Sequence, residues 1–229
     1  MKTLFQSVRR FLSGDNLSET FSEPAGEPDW EREIAARSER YRTVMLERIA
    51  RFSEQHKDSI QVPVRLFHGG LRGGLNALDP EVGQGLGVWF QKELIGAAHF
   101  CVSRNTQPST HTPYPDTTPS IYEISLNARK LAIFPDEGSL YQMGIQEEGD
   151  DDDLRFKPAD LHNLHDVRRA LVAAGYDGIH LLKEGTFSAF DSQAITIIRE
   201  HDPIPLYNAH IRPRFEGSSF GDPYPWVPE

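Results

Sequence analysis

The chain has 229 residues, with 24 Lys and Arg against 34 Asp and Glu, a formal net charge of −10. That balance excludes a general nucleic-acid binder, whose phosphate contacts need an excess of Lys and Arg, and it argues against docking on an acidic membrane surface. A single cysteine, Cys101, excludes an intrachain disulfide framework and a cysteine-cluster zinc site.

Residues 1–12 carry the basic positions of a signal peptide without its apolar run, and read as a short amphipathic helix or a frayed end. Residues 13–30 are rich in Ser, Glu, Pro, Gly and Asp and have little to bury, which reads as a linker. Segment 1–29 is therefore expected to be disordered or to serve targeting. No run of 18 apolar residues occurs, so no membrane helix is expected. The lone thiol fits a cytoplasmic, reducing setting, with delivery into another cell as the further option.

From Trp30 to about His56, apolar residues Ile34, Tyr41, Val44, Met45, Ile49 and Phe52 recur mainly at three- and four-residue steps, which predicts a helix within an extension over 30–60. Pro63–Phe67 alternates as a strand and runs into His68-Gly69-Gly70. A glycine-rich loop reaches Gly87, and Val88-Trp89-Phe90 is a second short strand. Glu93–Cys101 reads as a helix with a small-residue face, 103–119 as a long loop, and Ile121–Leu126 as a strand by alternation.

The run 147–153 holds six acids and one glycine without the ordered spacing of a calcium loop, and is expected to be a solvated loop. A helix is predicted over Asp160–Ala174, with Asp160 as N-cap and Gly175 just past its end. Ile179–Leu182 and Phe187–Phe190 are short strands, and Ala194–Ile198 is expected to continue the sheet. His162 and His165 lie three apart, a spacing that suits a metal but has no third ligand nearby in sequence; a polar helix face is the preferred reading and no metal is expected. Arg212–Glu229, with four aromatics, is expected to wrap the surface as part of a Pro/Gly-rich tail over 201–229. Short strands, two or three helices and long loops make this a mixed α+β domain over 61–200. There is no regular βαβ alternation and no dinucleotide-binding glycine fingerprint.

Five segments, in order, resemble the ADP-ribosyltransferase fold, on its poly(ADP-ribose) polymerase and diphtheria-toxin side, with phage and bacterial relatives. They are Leu66-Phe-His-Gly, Gly87-Val-Trp-Phe with Ala97-Ala-His-Phe100, Tyr122-Glu-Ile-Ser-Leu, Ala174-Gly-Tyr-Asp-Gly-Ile, and Phe187-Ser-Ala-Phe-Asp-Ser-Gln-Ala-Ile. The resemblance covers about residues 62–198 and implies a split β-sandwich with flanking helices and NAD⁺ in its cleft. It implies that His68 bonds a ribose hydroxyl and the Gly69 backbone holds the carboxamide. Trp89 and Phe100 would then cover the two faces of the nicotinamide, with Ala97 lining the pocket. Arg65 and Arg72 flank the His-Gly segment as candidates for the pyrophosphate.

In that family a carboxylate at the start of the closing strand steadies the oxocarbenium-like state as nicotinamide leaves. By register the position here is Thr186, and the nearest acid is Glu184. The expected function is an NAD-dependent mono-ADP-ribosyltransferase acting on a macromolecule, with a protein acceptor favoured over nucleic acid. A bacterial effector, toxin or phage modifier, and an inhibitory partner protein, fit that reading. The alternative is a catalytically degenerate binding or regulatory module.

Overall fold

The computed structural model describes residues 30–59, 62, 65–82, 85–142, 144–145, 164–215 and 222–228. The chain divides into two compact units, Met1–Ala35 and Ala36–Glu229. Of the first, only the opening turns of one helix are described. The acidic run 147–153, Asp160 and His162 lie outside the described residues.

The second unit is mixed α+β. Its elements, in chain order, are the helix α1 (Trp30–His56, begun in the first unit), β1 (Leu66–Gly70), β2 (Val88–Phe90), α2 (Leu94–Arg104), β3 (Ser120–Leu126), β4 (Leu131–Phe134), α3 (Glu137–Tyr141), α4 (Leu164–Ala173), β5 (Gly178–Leu181), β6 (Thr186–Ala189), β7 (Ile195–His201) and α5 (Pro203–His210). The strands form two sheets, β1-β3-β7 and β2-β6-β5-β4. All pairings are antiparallel except β4 with β5.

Three apolar clusters follow from strand alternation, since successive side chains leave opposite faces of a sheet. Leu66, Tyr122, Ile124 and Leu126 of the first sheet meet Val88, Phe90, Phe187 and Ala189 of the second. The opposite face of the four-stranded sheet, with Ala132, Phe134, Ile179 and Leu181, is covered by Tyr41, Met45 and Ile49 of α1 and Val167 and Leu171 of α4. The opposite face of the three-stranded sheet, through Ile121 and Phe67, packs on α2 and α5.

Helix α1 buries Tyr41, Met45, Ile49 and Ser53, a stripe at four-residue steps. Tyr41 donates to the Gln142 carbonyl at 3.0 Å, and the Ser53 hydroxyl accepts the Ile133 N–H at 2.9 Å. The latter satisfies a backbone donor on the free side of edge strand β4. The predicted helix over 30–56 is thus present, and its Tyr41–Ser53 part belongs to the core. Helix α4 ends as predicted: Gly175 has φ +80, its N–H reaches the Val172 carbonyl, and the Tyr176 N–H reaches that of Leu171.

Three features differ from the sequence reading. Strand β4 and helix α3 were not foreseen. Strand β7 does not extend the sheet of β6; it pairs with β3, because the turn at 190–194 carries the chain across to the other sheet. Helix α5 lies within the segment read as tail. Asp202 caps it by accepting the Ile204 N–H at 2.9 Å, and Pro203 sits in its first turn, where no amide is needed. Beyond α5 the tail does lie on the fold. Asp222 accepts from Tyr207 at 2.6 Å and from Arg212 at 2.9 Å, and the Trp226 indole donates to Thr106 at 2.8 Å.

Candidate functional site

The two sheets are stitched together where the end of β2 crosses β1. Phe67 and Gln91 exchange backbone hydrogen bonds of 2.8 and 2.9 Å. Next to that stitch the His68 Nδ1–H donates to the Trp89 carbonyl at 2.9 Å. A carbonyl can only accept, so the proton is on Nδ1 and Nε2 presents a lone pair. Burial pushes the His68 pKa below its ordinary value, and the Trp89 bond only partly opposes this. The imidazole is therefore neutral at pH 7 and suited to accept a hydrogen bond from a hydroxyl.

Gly69 turns toward α2. A Cβ there would lie 2.8 Å from the Ala97 carbonyl, 2.9 Å from the Cys101 sulfur and 3.2 Å from Phe100 Cδ1. The close approach of strand and helix requires glycine. Ala97 is buried, whereas Phe100 is 39% exposed with the Arg104 guanidinium 5.2 Å from its ring centre. Burial raises the Cys101 pKa to about 12, so this thiol is a packing group. Thus Gly69, Ala97 and Phe100 meet on the α2 side of β1, while the His68 ring leaves the opposite face, toward Phe90 and Tyr122.

Trp89 reaches His68 through its carbonyl only. It stands opposite Ser188, and its ring packs with the cluster under α1 and α4. Among the described residues no ring contact links it to His68 or Phe100.

The other predicted side of the site is the β5–β6 hairpin. Phe187 is opposite Phe90, so continuing the register puts Thr186 across from Gln91. Gln91 is in turn bonded to Phe67, so Thr186 is two strand spacings, about 10 Å, from the residue before His68. Glu184 is exposed at the hairpin tip, beside Gly185 at φ +63, and bonds to nothing among the described residues.

Arg65 lies elsewhere. Its guanidinium is 3.0 Å from Glu123, which pairs with Phe67 and so shares the face opposite His68. Arg72 contributes its backbone carbonyl, which accepts from the Tyr122 hydroxyl.

Three polar residues around these strands were not singled out from sequence. His180 is buried, donates Nδ1–H to the Thr186 carbonyl at 3.0 Å, and stacks on Phe187 with centroids 4.1 Å apart. Burial lowers its pKa, and the charge of Lys92 acts in the same sense. Lys92 lies 5.6 Å from the Phe187 ring centre, a cation beside the position expected to hold an acid. Glu123 is 1% exposed, with Arg199 at 2.8 Å and His201 at 2.9 Å on one oxygen. Those bonds hold its carboxyl below the usual carboxylate range, against the effect of burial. The usable signal was a polar residue inside a fully buried run, Ile-His-Leu or Tyr-Glu-Ile. His165 packs its ring against Gly85, and no group of three or more metal-ligating side chains occurs among the described residues.

Compared with known proteins, no family model matches the chain, and neither a curated protein nor a solved structure matches it. Among the described residues no helix is long and apolar enough to cross a membrane.

Proposed function

We propose that the crossing of β1, β2 and α2 is an NAD⁺ site and that the protein is a mono-ADP-ribosyltransferase with a split β-sandwich core. The observation that carries this reading is the neutral His68, tied through Nδ1 to the Trp89 carbonyl with Nε2 left for a ribose hydroxyl. On the opposite face of β1, Gly69 lets α2 bring the exposed Phe100 ring close to the strand. A planar cationic nicotinamide suits an aromatic face and backbone amide partners.

In the reaction the C1′–N bond of the nicotinamide ribose breaks and its electron pair leaves with nicotinamide. A nucleophile of the acceptor then forms the new bond to C1′. Glu184, the acid nearest the start of β6, is assigned the steadying of positive charge on the ribose, with Thr186 lining the same side. A protein is the proposed acceptor, since the charge of −10 disfavours nucleic acid. A cytoplasmic role, or action inside another cell under control of an inhibitory partner, accords with this.

The test is incubation with labelled NAD⁺ and a lysate, together with nicotinamide release. Label transfer with release supports the enzyme. Neither signal, at a protein concentration where NAD⁺ binds, overturns it in favour of a second reading: a binding or regulatory module. That reading is favoured by the uncharged Thr186 and the cation Lys92 beside it. His68→Ala weakens NAD⁺ binding several-fold by calorimetry; unchanged binding refutes the pocket itself.

A further inference from the structure

A concavity of about 370 Å³ opens between α2 and the segment 211–215 that follows α5, in the layer covering the three-stranded sheet. Its volume falls within the range of small-ligand pockets, roughly 300–1,000 Å³. Ile95, Ile211 and Phe215 supply apolar wall, and Gly96 completes the helix side.

Two opposite charges line the same space, Glu93 and Arg214. They do not pair with each other. Among the described residues neither side chain has a hydrogen bond or ion pair. Glu93 occupies the N-cap position of α2 yet makes no capping bond. His99, the remaining polar lining group, has its ring 6.1 Å from that of Tyr224 in an edge contact. Burial first, and the Arg214 charge second, lower its pKa, so it adds no second positive charge at pH 7. The pocket thus offers one carboxylate, one guanidinium and an apolar wall.

We infer that this concavity binds a small zwitterion with an apolar side chain, an amino acid or short peptide. Its ammonium is held by Glu93, its carboxylate by Arg214, and its side chain lies against Ile95, Ile211 and Phe215. Arg suits a carboxylate through its planar fork of donors. The inference does not depend on the NAD⁺ reading.

The probes are free leucine, free phenylalanine and the dipeptide Leu-Phe, each beside its N-acetylated and C-amidated forms, titrated into the full chain by calorimetry. The expected result is saturable binding of a zwitterionic probe, weakened at least tenfold by either blocking group. Glu93→Gln is expected to erase the penalty of N-acetylation, and Arg214→Gln that of amidation. Preference for the dipeptide over both amino acids identifies a peptide site, and the reverse an amino-acid site. Absence of binding by all three probes, or blocked and free forms binding equally, overturns the proposal. Equal melting temperatures of the two variants and the parent exclude misfolding as the cause of a loss.

Discussion

The β1–β2–α2 crossing and the β5–β6 hairpin face the same proposed ligand but are built differently. At the crossing, position is set by backbone: the Phe67–Gln91 stitch, the Trp89 carbonyl under His68, and a glycine whose Cβ would meet the Ala97 carbonyl. At the hairpin, Thr186 has its carbonyl fixed by His180, yet Glu184, the nearest acid in sequence, stands exposed on the turn. The contrast teaches that holding a ligand and transforming it are separable here. In the proposed reading backbone geometry serves the first, and the second rests on the exposed Glu184 side chain.

The largest effect that would break this contrast is on turnover. Glu184→Gln should lower nicotinamide release by about 10²–10³-fold, the usual cost of a lost electrostatic group, while Thr186→Ala leaves it within a few-fold. Single-turnover release assays compare the two; the opposite order would transfer the role to Thr186.

Next, Gly69→Ala should cost about 1–3 kcal/mol in urea unfolding, because its Cβ meets the Ala97 carbonyl at 2.8 Å and backbone must shift. A loss near zero would show that strand and helix separate easily.

The pH dependence follows from groups on both sides. The pKa values of His68 and His180 lie below the ordinary 6.5 in the fold, so the unfolded chain binds more protons as pH drops. Their stabilisation is complete above pH 6.5 and fades as pH falls through the folded values. Glu123 adds a second loss below its ordinary 4.5, since its folded pKa is also lowered. Melting temperature should therefore fall in two stages on acidification, and Glu123→Gln should shrink the lower one, to which Asp136 and Asp222 also contribute. A melting temperature that holds steady from pH 7 to 5 would contradict the histidine assignment.

The smallest effect is expected at Arg65. Arg65→Ala should reduce stability by about 1 kcal/mol or less, as an exposed guanidinium does, and leave NAD⁺ affinity unchanged. Weakened NAD⁺ binding would return Arg65 to the pyrophosphate.

Local signals carried much of the fold. Stripes at four-residue steps marked α1, the His-Gly and Gly-Val-Trp-Phe segments marked β1 and β2, and Gly175 marked the end of α4. Strand β4 was hidden because Leu-Ala-Ile-Phe is buried through much of its length and shows no alternation. Helix α5 was hidden by prolines at 203 and 205, which read as loop although the first turn tolerates them. In the site, adjacent residues such as His68 and Gly69 were legible together. Lys92, His180 and Glu123 were not, since their neighbours come from strand pairing across 6 to 95 residues of sequence rather than from local spacing.

The irregularity in β7 carries a consequence for chain length. Glu123 faces Arg199 while Ile124 faces Ile197, so Ile198 is an extra residue in the ladder, 52% exposed. Plain alternation from Ile195 and Ile197 would send Arg199 inward, among the apolar side chains between the sheets. The extra residue instead delivers it to the outer face, onto Glu123. Removing Ile198 would leave Ile197 across from Ile124 and Arg199 across from Glu123, so this is a position where the chain can lose a residue without exchanging inside for outside.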